Sequence, residues 1–104
     1  MAFKRGTFEI EWNDWTSNPT KTMKTVEGYV FSKYLGIHRQ GNKWYVDHLP
    51  TGAQITEYRL MATAKKAVLA LAHLDWKFKS MHSPKIKAMG PEAKRIIAEV
   101  GVSE

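Results

Sequence analysis

The stretch Lys43-Trp-Tyr-Val-Asp-His-Leu-Pro-Thr-Gly-Ala-Gln-Ile55 decides the fold. Aromatic and aliphatic residues alternate up to Leu49, and Pro50, Thr51 and Gly52 interrupt them before a second alternating run. Proline presets the backbone angle that the second position of a tight turn requires, and glycine alone enters positive φ without steric cost. The stretch therefore predicts two antiparallel strands joined at a sharp corner, the later one covering Ala53 to Arg59. Upstream, Gly28 to Gln40 is rich in aromatic and β-branched residues, and Gly41-Asn42 follows as a two-residue hairpin turn. Closing that turn pairs Arg39 with Trp44, Ile37 with Val46 and Leu35 with His48 on one face. His38 and Tyr45, Gly36 and Asp47, and Tyr34 and Leu49 share the other. The first face is the more apolar and is predicted to meet the core.

Working towards the N-terminus, Thr7 to Trp12 sets Phe8, Ile10 and Trp12 against Thr7, Glu9 and Glu11, the period-two pattern of a half-buried strand. The following run from Asn13 to Thr20 is dense in turn formers, and Pro19 biases Asn18 away from helix, so a loop carrying Trp15 is expected. Past Arg59 the periodicity changes. Thr63 is the expected N-cap of a helix from Ala64 to Lys79, with Ala67, Ala70, Leu71, Leu74 and Phe78 on one stripe. Pro84 should break that helix. Pro91 is the expected first residue of a short second one, with Ala93, Ile96, Ile97 and Val100 buried and Gly101 as the stop. These elements make an α+β fold: a small antiparallel meander of three to four strands packed against one long helix, with a short C-terminal helix, in a single domain over residues 1–104.

Composition narrows the chemistry. The 104 residues are 43% hydrophobic and 12% aromatic, enough to fill one core. Sixteen lysines and arginines against ten acidic residues leave a net charge of +6, which favours acidic or polyanionic partners. With no cysteine, disulfides, thiolate metal sites and cysteine nucleophiles are excluded. The longest nearly apolar run, Ala67 to Leu74, contains a histidine and is too short to cross a bilayer. The first residues pass from two positive charges into an alternating strand rather than an apolar leader, so a cytoplasmic location in the host cell is the expectation, with no membrane involvement.

Little in the sequence points to catalysis. His38, His48, His73 and His82 form no helical HxxxH pair, and neither a metal nor another cofactor is expected. Asp47 and His48 are neighbours on one strand, so their side chains face opposite ways and form no acid–base dyad. His48 is read as a core-edge histidine bonded to backbone. No GxSxG elbow or glycine-rich phosphate loop is present. The basic residues say more: Lys77, Lys79, Lys85, Lys87, Lys94 and Arg95 face only Glu92 between Trp76 and Arg95. Such a cluster suits phosphates or an acidic protein face, and Trp76 and Trp15 are the aromatics that could anchor it.

Three resemblances bear on this reading. The order of hairpin, WYVDHLPTG corner, strand and then TAKKAVLALAHL is similar to a pattern in short proteins of phages and other mobile elements, where a W-x-V-x-H-x-P-T-G corner precedes a helix opening on threonine and two lysines. ATAKKAVLALAHLDWK also resembles the helix of small anti-CRISPR proteins, in which such a helix follows an antiparallel sheet. Covering Trp44 to Lys77, this implies a sheet-plus-helix fold of phage-like origin; taken with the basic cluster, the expectation is a non-enzymatic inhibitor whose basic surface engages a host protein or ribonucleoprotein complex by occlusion, or nucleic acid directly. Asp47, Glu57 and Arg59 form a D…ExR arrangement that resembles metal-dependent nucleases of the PD-(D/E)xK type, with arginine where that pattern has lysine. The resemblance implies a nuclease as the third reading.

Overall fold

The computed structural model describes residues 3–14, 18–79, 83–102 and 104, with the side chains of all of these except 12–14 and 18–22. Five strands, β1 (Lys4–Asp14), β2 (Asn18–Val30), β3 (Leu35–Gln40), β4 (Lys43–His48) and β5 (Gln54–Tyr58), form one antiparallel sheet in sequence order. Helices α1 (Met61–Leu71) and α2 (Pro84–Val102) follow. The architecture is α+β as expected, with five strands rather than three to four.

The β3–β4 hairpin has the register that its turn and alternation demand. Leu35 lies opposite His48, Ile37 opposite Val46, His38 opposite Tyr45 and Arg39 opposite Trp44. Gly41 takes a φ of 65° in the turn and Gly52 a φ of 73° in the corner, where its N–H donates to the His48 carbonyl at 2.8 Å. Leu35, Ile37 and Val46 are fully buried beneath Ala64, Ala67, Val68 and Leu71 of α1, because the period of two on the strands and of three to four on the helix bring their apolar stripes together. On the last helix, Ala93 and Ile96 join the same core, and the Tyr58 hydroxyl donates to the Ile97 carbonyl at 3.0 Å.

The N-terminal part follows expectation at Thr7 to Trp12, which lies within β1, and departs from it at the loop expected over Asn13 to Thr20, where Asn13 and Asp14 extend β1 and Asn18 opens β2. The two strands pair from Lys4–Val30 to Trp12–Thr22 and, past an irregularity, at Asp14–Asn18. Only Gly28, Tyr29 and Val30 of β2 pair with β3. The rest of the hairpin runs past β3 and bends over the second face of the sheet, where the Glu11 N–H reaches the Gly52 carbonyl at 2.8 Å. Gly28 makes the bend possible, since a Cβ there would lie 2.1 Å from the Ile37 carbonyl oxygen. A second buried layer results, with Ile10, His38 and Asp47 enclosed under the hairpin.

Both helices also differ from the expected bounds. The first ends at Leu71 rather than Lys79, because the Leu71 carbonyl accepts bonds from the Leu74 N–H at 3.0 Å and from the Trp76 indole N–H at 2.8 Å. The chain then turns and runs on outside helix and strand, with Trp76 and Phe78 buried and Lys77 and Lys79 exposed. Phe78 is thus a core residue, carried by this segment instead of a helical stripe. Leu60 rather than Thr63 precedes the first turn, without a side-chain cap. Pro84 opens the last helix instead of ending the previous one: the Ser83 hydroxyl accepts the Lys85 N–H at 3.3 Å, an N-cap bond. Pro91 lies inside this helix, which continues through Gly101 to Val102. Among the described residues no helix is long and apolar enough to cross a membrane.

Candidate functional site

The expected basic cluster separates into paired and unpaired members. Lys85 Nζ lies 3.2 Å from an Asp75 carboxylate oxygen and donates to the Lys77 carbonyl at 3.1 Å, which clamps the start of α2 to the preceding segment. Arg95 is held by Glu92 and Glu99, one helical turn away on either side. Arg95 holds the Glu92 carboxyl below the ordinary carboxylate value, and the Lys77 backbone N–H, helped by Lys85, does the same for Asp75. Lys77, Lys79, Lys87 and Lys94 are exposed and make no ion pair with a described residue. Lys94 lines a cleft of about 320 Å³ with Trp76, Phe78, Ile86 and Met89, which brings it beside the segment bearing Lys77 and Lys79. Trp76 itself is 5% exposed and bonded through its indole, so it supports this surface from below. Trp15 lies outside the described residues.

The corner at Pro50 is structural. His48 Nε2–H donates to the Trp76 carbonyl and Nδ1 accepts the Thr51 hydroxyl proton, both at 2.8 Å. The ring stacks on Phe78 with centroids 4.2 Å apart, and burial lowers its pKa below 6.5, which favours the neutral form with these two bonds. This is the backbone-bonded role that the sequence suggested.

Asp47, on the opposite face, has a partner that the sequence reading missed. His38 Nδ1 lies 2.5 Å from Asp47 Oδ2, with both residues almost fully buried. Tyr45 stacks on the imidazole at a centroid distance of 5.2 Å and Phe8 meets it edge-on at 6.1 Å. Burial pushes the Asp47 carboxyl up, and the His38 ring opposes that shift. His38 Nε2 is buried with no hydrogen-bond partner. The signal was present in the register, since His38–Tyr45 and Gly36–Asp47 are successive pairs on one face and make His38 and Asp47 diagonal neighbours. A histidine–carboxylate pair can orient a general base, but here aromatic rings close over it.

The acidic members of the nuclease-like triplet have separate partners. Asp47 is enclosed with His38, whereas Glu57 is exposed and paired with Lys43 at 3.0 Å. Among the described residues no group of three or more histidine or acidic side chains could hold a metal.

A second cationic surface, unmarked in the sequence, lies on the helix-side face of the sheet. The first helix packs chiefly on β3, β4 and β5 and reaches the β1–β2 end of that face through Lys65, over Tyr29. Arg5, Thr7, Glu27, Tyr29, Arg39 and Trp44 line a groove there of about 410 Å³. No protein-family model, curated protein or solved structure matches the chain.

Proposed function

We propose that the protein is a small binding module that engages a polyanionic partner, a host nucleic-acid-handling complex, and acts by covering a surface which that partner needs. One observation carries the reading: Lys77, Lys79, Lys87 and Lys94 stand exposed without ion pairs, while the neighbouring Lys85 and Arg95 are spent on internal carboxylates. Exposed cations without internal partners, carried on a rigid base, are available to an acidic partner in a way that Lys85 and Arg95 are not. That base is rigid, because Trp76 and Phe78 fix the segment after α1 against His48 and α2 is tied to the sheet through Tyr58. Occlusion of this kind needs no catalytic group, which agrees with the enclosed His38–Asp47 pair. The resemblance of the corner and first helix to phage and anti-CRISPR proteins supports a mobile-element inhibitor as the biological setting.

The test is elution from immobilised heparin with rising salt, followed by a gel shift on duplex DNA. Replacing Lys77, Lys79, Lys87 and Lys94 together by Glu should leave the melting midpoint within a few degrees and advance heparin elution to much lower salt. Elution at the parental salt concentration by a folded variant removes the lysine surface from consideration. Steep weakening of a gel shift between about 50 and about 200 mM salt marks direct nucleic-acid binding, whereas a shallow dependence marks an acidic protein face.

A further inference from the structure

We infer that the groove between β1 and β4 is a nucleotide site for single-stranded nucleic acid, with a base on Trp44 and the adjoining phosphate at Arg5 and Arg39. The inference goes beyond the lysine surface and uses none of its residues. Register places the groove's side chains together: Arg5 lies opposite Tyr29, Thr7 opposite Glu27 and Arg39 opposite Trp44, all on the helix-side face. Tyr29 and Trp44 are half-buried, each packed against the core, with ring centroids 6.4 Å apart. They form a fixed aromatic floor that need not be ordered on binding.

The polar groups complement a nucleotide. Arg39 Nε donates to the Gly41 carbonyl at 3.1 Å, which holds the guanidinium and leaves its terminal nitrogens for phosphate. Arg5 is exposed and makes no ion pair with a described residue. Lys65 Nζ, 5.5 Å from the Tyr29 and Phe3 rings, adds positive charge at the same end of the sheet. The Glu27 carboxylate can accept a base or sugar proton, and a hydroxyl at Thr7 can donate or accept. A volume of about 410 Å³ suits one nucleotide unit and falls in the range of about 300–1,000 Å³ of small-molecule sites. Stacking on Trp44 requires an unstacked base, which a duplex does not present.

The experiment is fluorescence anisotropy with a labelled oligothymidylate of about ten nucleotides, an abasic strand of equal length, and thymidine 5′-monophosphate as competitor. The oligothymidylate should bind at least about tenfold more tightly than the abasic strand, and Trp44→Ala should remove that preference. Because Trp44 also contacts the core, Arg5→Ala is the second variant: it should keep the parental melting midpoint, weaken binding and lower the single-strand salt slope by about 0.7. Competition by the monophosphate at low concentration assigns the site to free nucleotide, and competition only by oligomer assigns it to a strand. Equal affinity for thymidylate and abasic strands, or a folded Arg5→Ala that binds as the parent does, overturns the proposal. The Lys77, Lys79, Lys87 and Lys94 quadruple variant should retain the thymidylate-over-abasic preference. Its heparin behaviour therefore reports on the lysine surface independently.

Discussion

His48 and His38 sit on adjacent strands, both buried and both stacked on an aromatic ring, yet they are held in opposite ways. His48 faces the helices and uses both ring nitrogens in bonds to Trp76 and Thr51. His38 faces the folded-over hairpin and uses one, leaving Nε2 without a partner. The difference follows from what covers each face. A segment outside the sheet, whose Trp76 carbonyl reaches the ring, covers His48, whereas a hairpin whose strands pair with each other covers His38. The first histidine works as a rivet between corner and core. The second is tolerated for the sake of its bond to Asp47.

The comparison can be broken most severely at the glycine that lets the hairpin fold over. Gly28→Val places a Cβ 2.1 Å from backbone at Ile37, which cannot give way as a flexible side chain could. It should cost more than about 4 kcal/mol and abolish a cooperative melt. Gly6→Ala on the paired strand meets only a Val30 methyl at 3.6 Å and should melt like the parent. A folded Gly28→Val protein would show that the hairpin does not lie where the second buried layer requires it.

His48→Ala removes two hydrogen bonds and the Phe78 stack, and should cost about 2–4 kcal/mol in chemical denaturation. Somewhat smaller, about 1–3 kcal/mol, is the expected loss for Gly52→Val, where φ is 73° and the Glu9 carbonyl lies 3.1 Å from the added carbon. An unchanged denaturation midpoint in either variant would deprive the corner of its structural role.

Acidity distinguishes the two histidine environments by sign. The folded pKa of His48 is lowered from 6.5, so its contribution to stability is present above that value and is lost as pH falls through the folded value. Asp47 acts the other way: its folded pKa is raised from 3.8, so its contribution is present below that value and declines as pH rises through the folded one. Melts taken from pH 7 downwards should show the midpoint falling by a few degrees, and His48→Gln should flatten the profile. A profile unaffected by that substitution would place the acid sensitivity elsewhere.

The smallest effect is expected where His38 and Asp47 are replaced together. Converting them to Phe and Leu removes both partners and the unbonded Nε2, so the double variant should lie within about 1 kcal/mol of the parent, while Asp47→Ala alone should lose about 1–3 kcal/mol. A double variant as unstable as the single one would mean that the pair holds the hairpin by more than its mutual bond.

Local chemistry alone determined the β3–β4 hairpin, its register, the glycine corner and the helix-facing apolar stripe of Leu35, Ile37 and Val46. Each follows from a turn residue or a period that acts within a few positions. The role of His48 was legible for the same reason. Tertiary contacts decided the rest. Residues 18–20, which with Pro19 read in isolation as the end of a loop, belong to a strand because β1 is there to pair with it. The first helix stops at Leu71 because Trp76, five residues on, bonds its carbonyl, and Phe78 shares the helical spacing although it belongs to the segment beyond the helix. Lys85 and Arg95 looked equivalent to their neighbours until the fold brought Asp75 to one, while α2, running on through Pro91, set Glu92 and Glu99 a turn on either side of the other. The groove joins Arg5 of β1 to the Arg39–Trp44 pair of the distant β3–β4 hairpin, and its only trace in the chain was that pair. Periodicity specifies which way a side chain points, but what stands opposite it across non-local strands is set by the closure of the whole sheet.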